Sequence, residues 1–236
     1  MRVSTGLSGF DRLVEGGVPA ERLYIVSGPP GSGKTTFSAH FITEGAVNGE
    51  NGLYVTMHET ATELADDLGR YAFGFDRALA SDQVSFLNVF NKETKRLLKP
   101  PNGDSFTSGI DAMTTRLVNY IDSKSIDRVV IDSTMLLDYY FPDDSDAFMQ
   151  FLTSLKRIDA TTLVISEMTD PTSYGEEHYL AHGVIFFHNF LEASGMQRGV
   201  QVVKMRGTAI DSDIREISFS EDGLRVDPEE RVKAEA

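Results

Sequence analysis

The stretch that decides the fold is Gly28-Pro29-Pro30-Gly31-Ser32-Gly33-Lys34-Thr35, followed by Thr36. It fits the pattern Gly-x-x-x-x-Gly-Lys-Thr of a phosphate-binding loop. Its glycines permit backbone conformations in which successive N–H groups surround phosphate oxygens, and the helix that follows directs its positive dipole end at the same anion. The pattern predicts a nucleotide-phosphate site over residues 28–36, in which Lys34 reaches the β- and γ-phosphates and Thr35 gives its hydroxyl to Mg²⁺.

The flanking segments predict the strand and the helix that such a loop requires. Residues 22–27 are apolar and β-prone, which predicts a buried strand. After the loop, Phe37, Phe41 and Ile42 recur at helical spacing and predict a helix over residues 36–47. The alternative, an ordinary glycine-rich turn, is disfavoured by this context.

Length and composition indicate one domain. A chain of 236 residues with 41% hydrophobic content suits a single α/β domain, which we expect over residues 1–228, with a charged and disordered tail over residues 229–236. No apolar run approaches the length of a membrane span, so we expect no membrane insertion. The absence of cysteine excludes disulfides and thiolate metal sites and is compatible with a cytoplasmic location.

The charge balance argues against a nucleic-acid-binding protein. The chain has 36 acidic and 22 basic residues, a formal net charge of −14. Phosphate backbones are repelled by such a surface unless a basic patch offsets it, and the short run at residues 92–96 more simply forms a solvated helix face. The carboxylate surplus resembles proteins that work in high salt, and an ordinary acidic protein is the alternative.

The order of predicted elements indicates a mainly parallel sheet flanked by helices, with a β-rich C-terminal edge. The predicted strands after the first are residues 51–57, 84–90, 127–132, 161–167, 183–192, 199–206 and 214–219. The predicted helices are residues 61–71, 108–123 and 142–158, and residues 91–107 are polar and turn-rich, which predicts an exposed loop. Thr60 and Glu63 predict a capping box at the start of the helix over residues 61–71.

Asp132 closes a short apolar strand about a hundred residues after the phosphate-binding loop. A carboxylate at the carboxyl end of such a strand is where nucleotide-hydrolysing proteins place the second magnesium-directed group. The alternative is an aspartate in an ordinary strand-end turn. Together with the loop, Asp132 is the candidate partner of Thr35 in a Mg²⁺ site.

These and other motifs make the chain resemble the KaiC-like branch of RecA-fold ATPases, the family of the circadian-clock ATPase and of archaeal single-domain relatives. The motifs are residues 4–11 (Ser-Thr-Gly-Leu-Ser-Gly-Phe-Asp), 16–19 (Gly-Gly-Val-Pro), 27–36, 74–76 (Gly-Phe-Asp), 130–133 (Val-Ile-Asp-Ser), 183–185 (Gly-Val-Ile) and 204–208 (Lys-Met-Arg-Gly-Thr). The resemblance implies a RecA-like P-loop fold in which one strand separates the phosphate-loop strand from the strand of Asp132. It also implies ATP and Mg²⁺ as ligands, and a homo-oligomer, frequently a hexameric ring, with nucleotide at subunit interfaces.

The chain departs from the family at the expected catalytic base. The family usually carries two adjacent glutamates after its second strand, the first being the favoured base, whereas this chain has His58 and Glu59. Glu59 is therefore the candidate that would orient or deprotonate water, with Glu167 as a nearby polar sensor, and we expect slow hydrolysis. The autophosphorylated positions of the clock protein fall near residues 176–182, which contain neither serine nor threonine, so autokinase activity is not expected there.

Two further groups of residues leave alternatives open. In the matching family motif, Lys204 and Arg206 reach the γ-phosphate bound by a neighbouring subunit; two solvated cations on an edge strand are the alternative. His178 and His182 are four residues apart and could share a helical face that binds a metal, although a surface helix without a metal is the simpler interpretation.

The sequence thus favours an ATP-binding, Mg²⁺-dependent ATPase whose nucleotide state regulates a protein assembly through an unidentified protein partner. One alternative is a catalytically weak ATP-binding switch or scaffold, which the His58 substitution keeps open. A second alternative, a RecA-family recombinase paralogue, is disfavoured by the acidic charge.

Overall fold

The computed structural model describes residues 1–56, 59–89, 91–98, 109–134, 145–168, 170–192 and 195–232. In these ranges the strands are β1 (Arg2–Val3), β2 (Val18–Pro19), β3 (Leu23–Ser27), β4 (Gly52–Thr56), β5 (Val84–Asn88), β6 (Arg128–Asp132), β7 (Thr161–Ser166), β8 (Gly183–Glu192), β9 (Gly195–Met205), β10 (Arg215–Ser220) and β11 (Gly223–Arg231). The helices are α1 (Ser8–Leu13), α2 (Lys34–Val47), α3 (Ala61–Leu68), α4 (Phe75–Leu79), α5 (Lys92–Leu98), α6 (Gly109–Ser123), α7 (Ser145–Leu155) and α8 (Glu176–Leu180).

Nine of these strands form one sheet in the order β11-β10-β9-β8-β3-β7-β6-β4-β5. Strands β5, β4, β6, β7, β3 and β8 run parallel, and β9, β10 and β11 continue as an antiparallel meander. The fold class predicted from the sequence, a mainly parallel sheet with a β-rich C-terminal edge, is confirmed. So is the expectation that one strand, β7, separates the loop strand β3 from β6.

Alternating side chains of the central strands fill two cores, one on each face of the sheet. Tyr24 and Val26 of β3 pack with the helices α1 to α4, and Leu23 and Ile25 pack with α6 and α7. Period-two alternation of fully apolar strands is what a sheet covered on both faces requires. Helix α2, which follows the phosphate-binding loop, therefore lies on one face, and α7 lies on the other.

The glycine-rich lead-in folds around the carboxylate of Asp11. This carboxylate accepts hydrogen bonds from the Thr5 N–H (3.0 Å), the Thr5 hydroxyl (2.7 Å) and the Ser4 hydroxyl (2.8 Å). The buried Arg128 then ties the lead-in to the core, because its Nη1 donates to the carbonyls of Ser4 (2.7 Å) and Phe41 (2.8 Å). Residue Phe41 belongs to α2, so the lead-in is anchored beneath the helix of the phosphate-binding loop.

Several element boundaries differ from the sequence-based predictions. The capping box of Thr60 and Glu63 is confirmed, but α3 ends at Leu68. The predicted loop over residues 91–107 is wrong in its first part, because α5 occupies Lys92–Leu98. β11 was not predicted, and it extends to Arg231, so the first three residues of the predicted tail are strand residues. No helix in the described parts of the chain has the length and apolarity to span a membrane.

Candidate nucleotide-binding site

The candidate site lies where four parallel strands end side by side. Neighbouring strands in the order β3-β7-β6-β4 lead respectively into the phosphate-binding loop, Glu167, Asp132 and the segment that contains Glu59. Since parallel strands present their carboxyl ends at one edge of a sheet, groups far apart in sequence meet there. The fold therefore gathers the predicted loop and the predicted carboxylates at a single edge.

The backbone of the loop requires its glycines. Gly28, Gly31 and Gly33 have φ values of 147°, 71° and 109°, in the region that side chains with a Cβ disfavour. A Cβ on Gly28 would also lie 2.4 Å from the carbonyl oxygen of Phe187. The hydroxyl of Ser32 is buried without a hydrogen-bond partner among the described residues. A curved backbone with an unpaired buried hydroxyl fits a loop that receives phosphate oxygens.

The Lys34 side chain folds back over the loop. Its Nζ donates to the carbonyl oxygens of Gly28 (2.8 Å) and Pro29 (3.0 Å), and it lies 3.5 Å from Oε2 of Glu167. An ammonium group has three donors, so all three are directed at acceptors of the site. Lys34 is only 5% exposed, and its charge is therefore held in a poorly solvated position at the loop.

Asp132 forms a hydrogen-bonded group with Thr35 and Tyr54. Oδ2 of Asp132 accepts from the Thr35 hydroxyl at 3.1 Å and from the Tyr54 hydroxyl at 2.7 Å. Burial raises the pKa of the Asp132 carboxyl and Glu167 adds to the rise, whereas the two hydrogen bonds and the Lys34 charge oppose it. Burial and the neighbouring Asp132 raise the pKa of Tyr54 well above its usual value, so its hydroxyl remains a donor.

The oxygen donors of Thr35 and Asp132 suit Mg²⁺ rather than a metal that takes all of its ligands from the protein. Mg²⁺ keeps several of its waters and takes one or two protein oxygens together with substrate phosphates. The hydroxyl of Thr35 and the carboxylate of Asp132 supply such a pair. Across the described residues, no group of three or more histidines and carboxylates is arranged to hold a metal ion. The two predicted metal residues are thus adjacent, and they fit the hydrated ion.

Glu59 lies beside this group. Its carbonyl oxygen accepts from Nδ2 of Asn88 at 2.7 Å, which ties the segment after β4 to the end of β5. The Glu59 charge contributes to the raised pKa of Tyr54, the residue that donates to Asp132. The prediction for His58 concerns a residue outside the described ranges. Of the two residues at the positions of the family's paired glutamates, Glu59 is the one within the described ranges, and it lies beside the Tyr54–Asp132 pair.

Two residues, one on β8 and one on β9, contact the backbone of the phosphate-binding loop. Asn189 and Arg198 face each other in the strand register. Nδ2 of Asn189 donates to the Pro30 carbonyl at 3.2 Å, and Nε of Arg198 donates to the Gly31 carbonyl at 3.1 Å. The antiparallel edge of the sheet thus supports the phosphate-binding loop directly.

Lys204 and Arg206 lie away from their own phosphate-binding loop. Lys204 pairs with Val184 of β8, which in turn pairs with Ile25 of β3, so Lys204 lies on the same sheet face as Ile25, opposite α2. Its Nζ donates to the carbonyls of His178 (2.9 Å) and Tyr179 (3.0 Å), and Nη2 of Arg206 donates to the Tyr179 carbonyl at 3.0 Å. The hydrogen bonds of both cations therefore go to α8.

The simpler interpretation of the sequence placed His178 and His182 on a surface helix, and the structure places them differently. His178 is 3% exposed, and its Nε2 lies 3.1 Å from the Ser27 hydroxyl. Nδ1 of His182 accepts from the Leu23 N–H at 3.1 Å. Burial, followed by the charges of Arg22 and other nearby cations, lowers the pKa of His182 to about 4. His178 belongs to the core beneath the phosphate-binding loop, so the surface-helix interpretation was wrong for it.

Sequence reasoning missed Tyr54, Asn189, Arg198 and the pairing of Ser27 with His178. Tyr54 could have been identified once β4 and β6 were known to be neighbours, because its aromatic ring sits two residues before the end of β4. The other contacts depend on the hairpin register and on the packing of α8, which no local pattern reveals.

This fold and site define a P-loop nucleotide-binding protein of the RecA-like class. A family model described as "ATPase: KaiC" matches residues 3–231. The chain belongs to the KaiC family of ATPases, which confirms the resemblance drawn from its motifs and supports ATP binding.

Similar proteins come from archaea and cyanobacteria. The KaiC-like protein PH0186 of Pyrococcus horikoshii has a solved structure with a TM-score of 0.81, 26% identity, and coverage of 96% of this chain and 98% of that one. The UPF0273 protein MK0039 of Methanopyrus kandleri is 28% identical over 97% of this chain and 92% of its own length. The circadian clock oscillator protein KaiC of Prochlorococcus marinus is 28% identical over 88% of this chain, which spans only 42% of that protein.

Proposed function

We propose that this protein is a Mg²⁺-dependent ATP hydrolase that works as a homo-oligomer, and that its nucleotide state regulates a protein assembly. The observation that carries the proposal is the convergence of Lys34, Thr35, Asp132 and the Glu59 segment at one edge of the sheet. In-line attack of water on a γ-phosphate needs positioning and charge neutralisation more than covalent chemistry, and these are the groups that supply both.

Each residue has a defined task in this reaction. The loop backbone from Gly28 to Gly33 and the start of α2 would donate N–H groups to phosphate oxygens. Lys34 would exchange its contacts with the Gly28 and Pro29 carbonyls for the β- and γ-phosphates. Glu59 would orient the attacking water and accept its proton. Bound Mg²⁺ would supply additional neutralisation of phosphate charge, held at Thr35 and Asp132.

The positions of Lys204 and Arg206 support a site shared between subunits. Both cations are turned toward α8, on the face opposite the helix that begins at Lys34. In a head-to-tail assembly, this face of one subunit can meet the nucleotide of the next. Arg206 is exposed and could engage a phosphate with two N–H groups. We therefore infer that the two cations complete the neighbouring site, with ATP between the subunits.

The kind of chemistry expected at the site supports a regulatory role. Hydrolysis that is slow for lack of the first glutamate suits a switch whose state lasts long enough for a protein partner to read. The net charge of −14 weighs against nucleic acid as that partner.

The proposed function is tested by measuring ATP binding and steady-state hydrolysis of the full chain, with Mg²⁺ or with EDTA, at low and at molar KCl. We expect binding and slow turnover that both depend on Mg²⁺. Tight binding without turnover in any condition would leave the non-catalytic switch as the function. Failure of the folded protein to bind ATP would overturn the proposal.

A further inference from the structure

One buried residue touches both the strand of the phosphate-binding loop and a cation assigned to the neighbouring site. The ring of His178 meets the hydroxyl of Ser27, the last residue of β3, at 3.1 Å. The carbonyl oxygen of the same residue accepts from Nζ of Lys204 at 2.9 Å. Ser27 is fully buried and His178 is 3% exposed, so water does not compete for the ring contact.

The hydrogen bond between His178 and Ser27 does not depend on which partner donates, because a hydroxyl can both donate and accept. Nδ1 of His178 lies 3.1 Å from the Gly175 nitrogen and 3.0 Å from Oε1 of Glu177, and these two contacts hold the ring in place. Nε2 is thereby directed at the Ser27 hydroxyl, and this contact can form with the ring proton on either nitrogen.

The far side of α8 is held by cations. Its last carbonyls accept from Lys204 and Arg206, and the Leu180 carbonyl accepts from Nζ of Lys156 at 3.1 Å. Positive groups at a helix C-terminus are electrostatically favourable, so the position of α8 influences where these side chains lie. Helix α8 has five residues, so its contacts with Ser27 and with the cations lie within little more than one turn of each other.

We propose that His178 is a positioning residue that couples two parts of one subunit. Nucleotide in the phosphate-binding loop of that subunit changes, through His178, the placement of its Lys204 and Arg206, which act on the nucleotide of the next subunit. In this proposal, phosphate binding takes Nζ of Lys34 away from the carbonyl of Gly28, the residue directly after Ser27. The Ser27–His178 hydrogen bond transmits that displacement to α8, and the helix carbonyls transmit it to the cations. The direction in which the cations act rests on the proposed function; the link from Ser27 to α8 does not.

The link is tested by hydrogen exchange of the amides of residues 176–182, with and without a non-hydrolysable ATP analogue and Mg²⁺. In the wild type, the analogue should change the exchange of these amides. Ser27→Ala and His178→Phe should bind the analogue within about threefold of wild type, yet lose the change in exchange. Because the Gln amide can donate from nearly the same point as Nε2, His178→Gln should retain it.

A matched control is His188→Phe, which also deletes a buried imidazole, one that pairs with Oε1 of Gln201 at 3.1 Å. It should lose stability but keep the exchange response. If Ser27→Ala still shows the wild-type response, or the wild type shows none, the link does not exist.

A displaced cation weakens transition-state charge stabilisation. ATP turnover of Ser27→Ala and His178→Phe should therefore fall about tenfold with little change in KM. Mixing Arg206→Ala with Lys34→Ala subunits reports separately whether the cations act on the neighbouring subunit. The link from Ser27 to α8 and the shared site can therefore fail independently.

Discussion

The Thr35 hydroxyl at the start of α2 lies 3.1 Å from Oδ2 of Asp132 at the end of β6. Because a carboxylate beside the hydroxyl of the proposed Mg²⁺ site would hold the ion and its waters, Asp132→Asn should weaken ATP binding about tenfold in Mg²⁺ and little in EDTA. Calorimetric titrations in both buffers measure this difference. Asp122→Asn, on the exposed end of α6, is the matched control. An unchanged Mg²⁺ dependence in Asp132→Asn would remove Asp132 from the metal site.

Lys34 supplies a charge at the loop that no other described lysine can replace there. Its Nζ already reaches the Gly28 and Pro29 carbonyls, so it is positioned for phosphate. A hydrogen bond between charged groups contributes about 1.5–3 kcal/mol, and Lys34→Ala should therefore weaken ATP binding roughly 10- to 150-fold. The circular dichroism spectrum should stay that of the wild type. Lys124→Ala, at an exposed site, should bind normally. Wild-type affinity in folded Lys34→Ala would refute the assignment.

Glu59 is the residue on which turnover should depend. Removing a general base typically costs about 100- to 10,000-fold in rate, and Glu59→Gln keeps the shape of the side chain while removing its basicity. We expect turnover at or below the detection limit, with ATP affinity within about threefold of wild type. Asp66→Asn, on the exposed side of α3, should hydrolyse ATP at the parental rate. Undiminished hydrolysis by Glu59→Gln would place the base elsewhere.

Much of the fold was predictable because its signals are local. The loop pattern and the apolar run before it locate β3 and α2, and the apolar run ending at Asp132 locates β6. β11 was missed because Leu224 and Val226 alternate with charged residues around Pro228, a composition typical of an exposed edge strand rather than a buried one.

The candidate site was less predictable where it depends on long-range packing. His178 follows two glutamates in a polar run, a pattern typical of a surface helix. It is buried only because α8 packs between Ser27 and Lys204, which are more than a hundred residues apart in sequence. The hydrogen bond from Tyr54 to Asp132 likewise requires β4 and β6 to be neighbours, an order that the sequence alone does not state.

His40 should make the protein sensitive to acid. Its Nε2 accepts from the Leu224 N–H at 3.2 Å, and burial lowers the pKa of His40 to about 4. The unfolded chain, with a histidine pKa of about 6.5, binds the proton first as pH falls, so stability is lost between about pH 6.5 and pH 4. The free energy of unfolding should drop by about 2 kcal/mol from this group between pH 7.5 and pH 5.

Urea denaturation of wild type and His40→Gln at both pH values isolates the contribution of His40. The difference in stability between the two proteins should change by this amount, because other titrating groups cancel. Equal pH dependence in both proteins would mean that the imidazole is not held neutral by burial at this position.

The strongest test of assembly uses two subunits that are each defective for a different reason. Lys34→Ala is expected to bind ATP weakly but keeps Lys204 and Arg206, whereas Arg206→Ala keeps the loop and lacks the exposed guanidinium next to α8. If each site is shared, a mixed interface unites an intact loop with an intact Arg206 and restores activity. We expect each variant alone to hydrolyse ATP at least about tenfold more slowly than wild type, and their mixture to recover a substantial part of the lost rate.

Specific activity of the wild type should also rise with protein concentration as the oligomer forms. An Arg206→Lys subunit serves as control, since it preserves the charge without the planar fork and should complement only partly. Light scattering that shows a monomer with concentration-independent activity, together with no recovery in the mixture, would confine the active site to one chain.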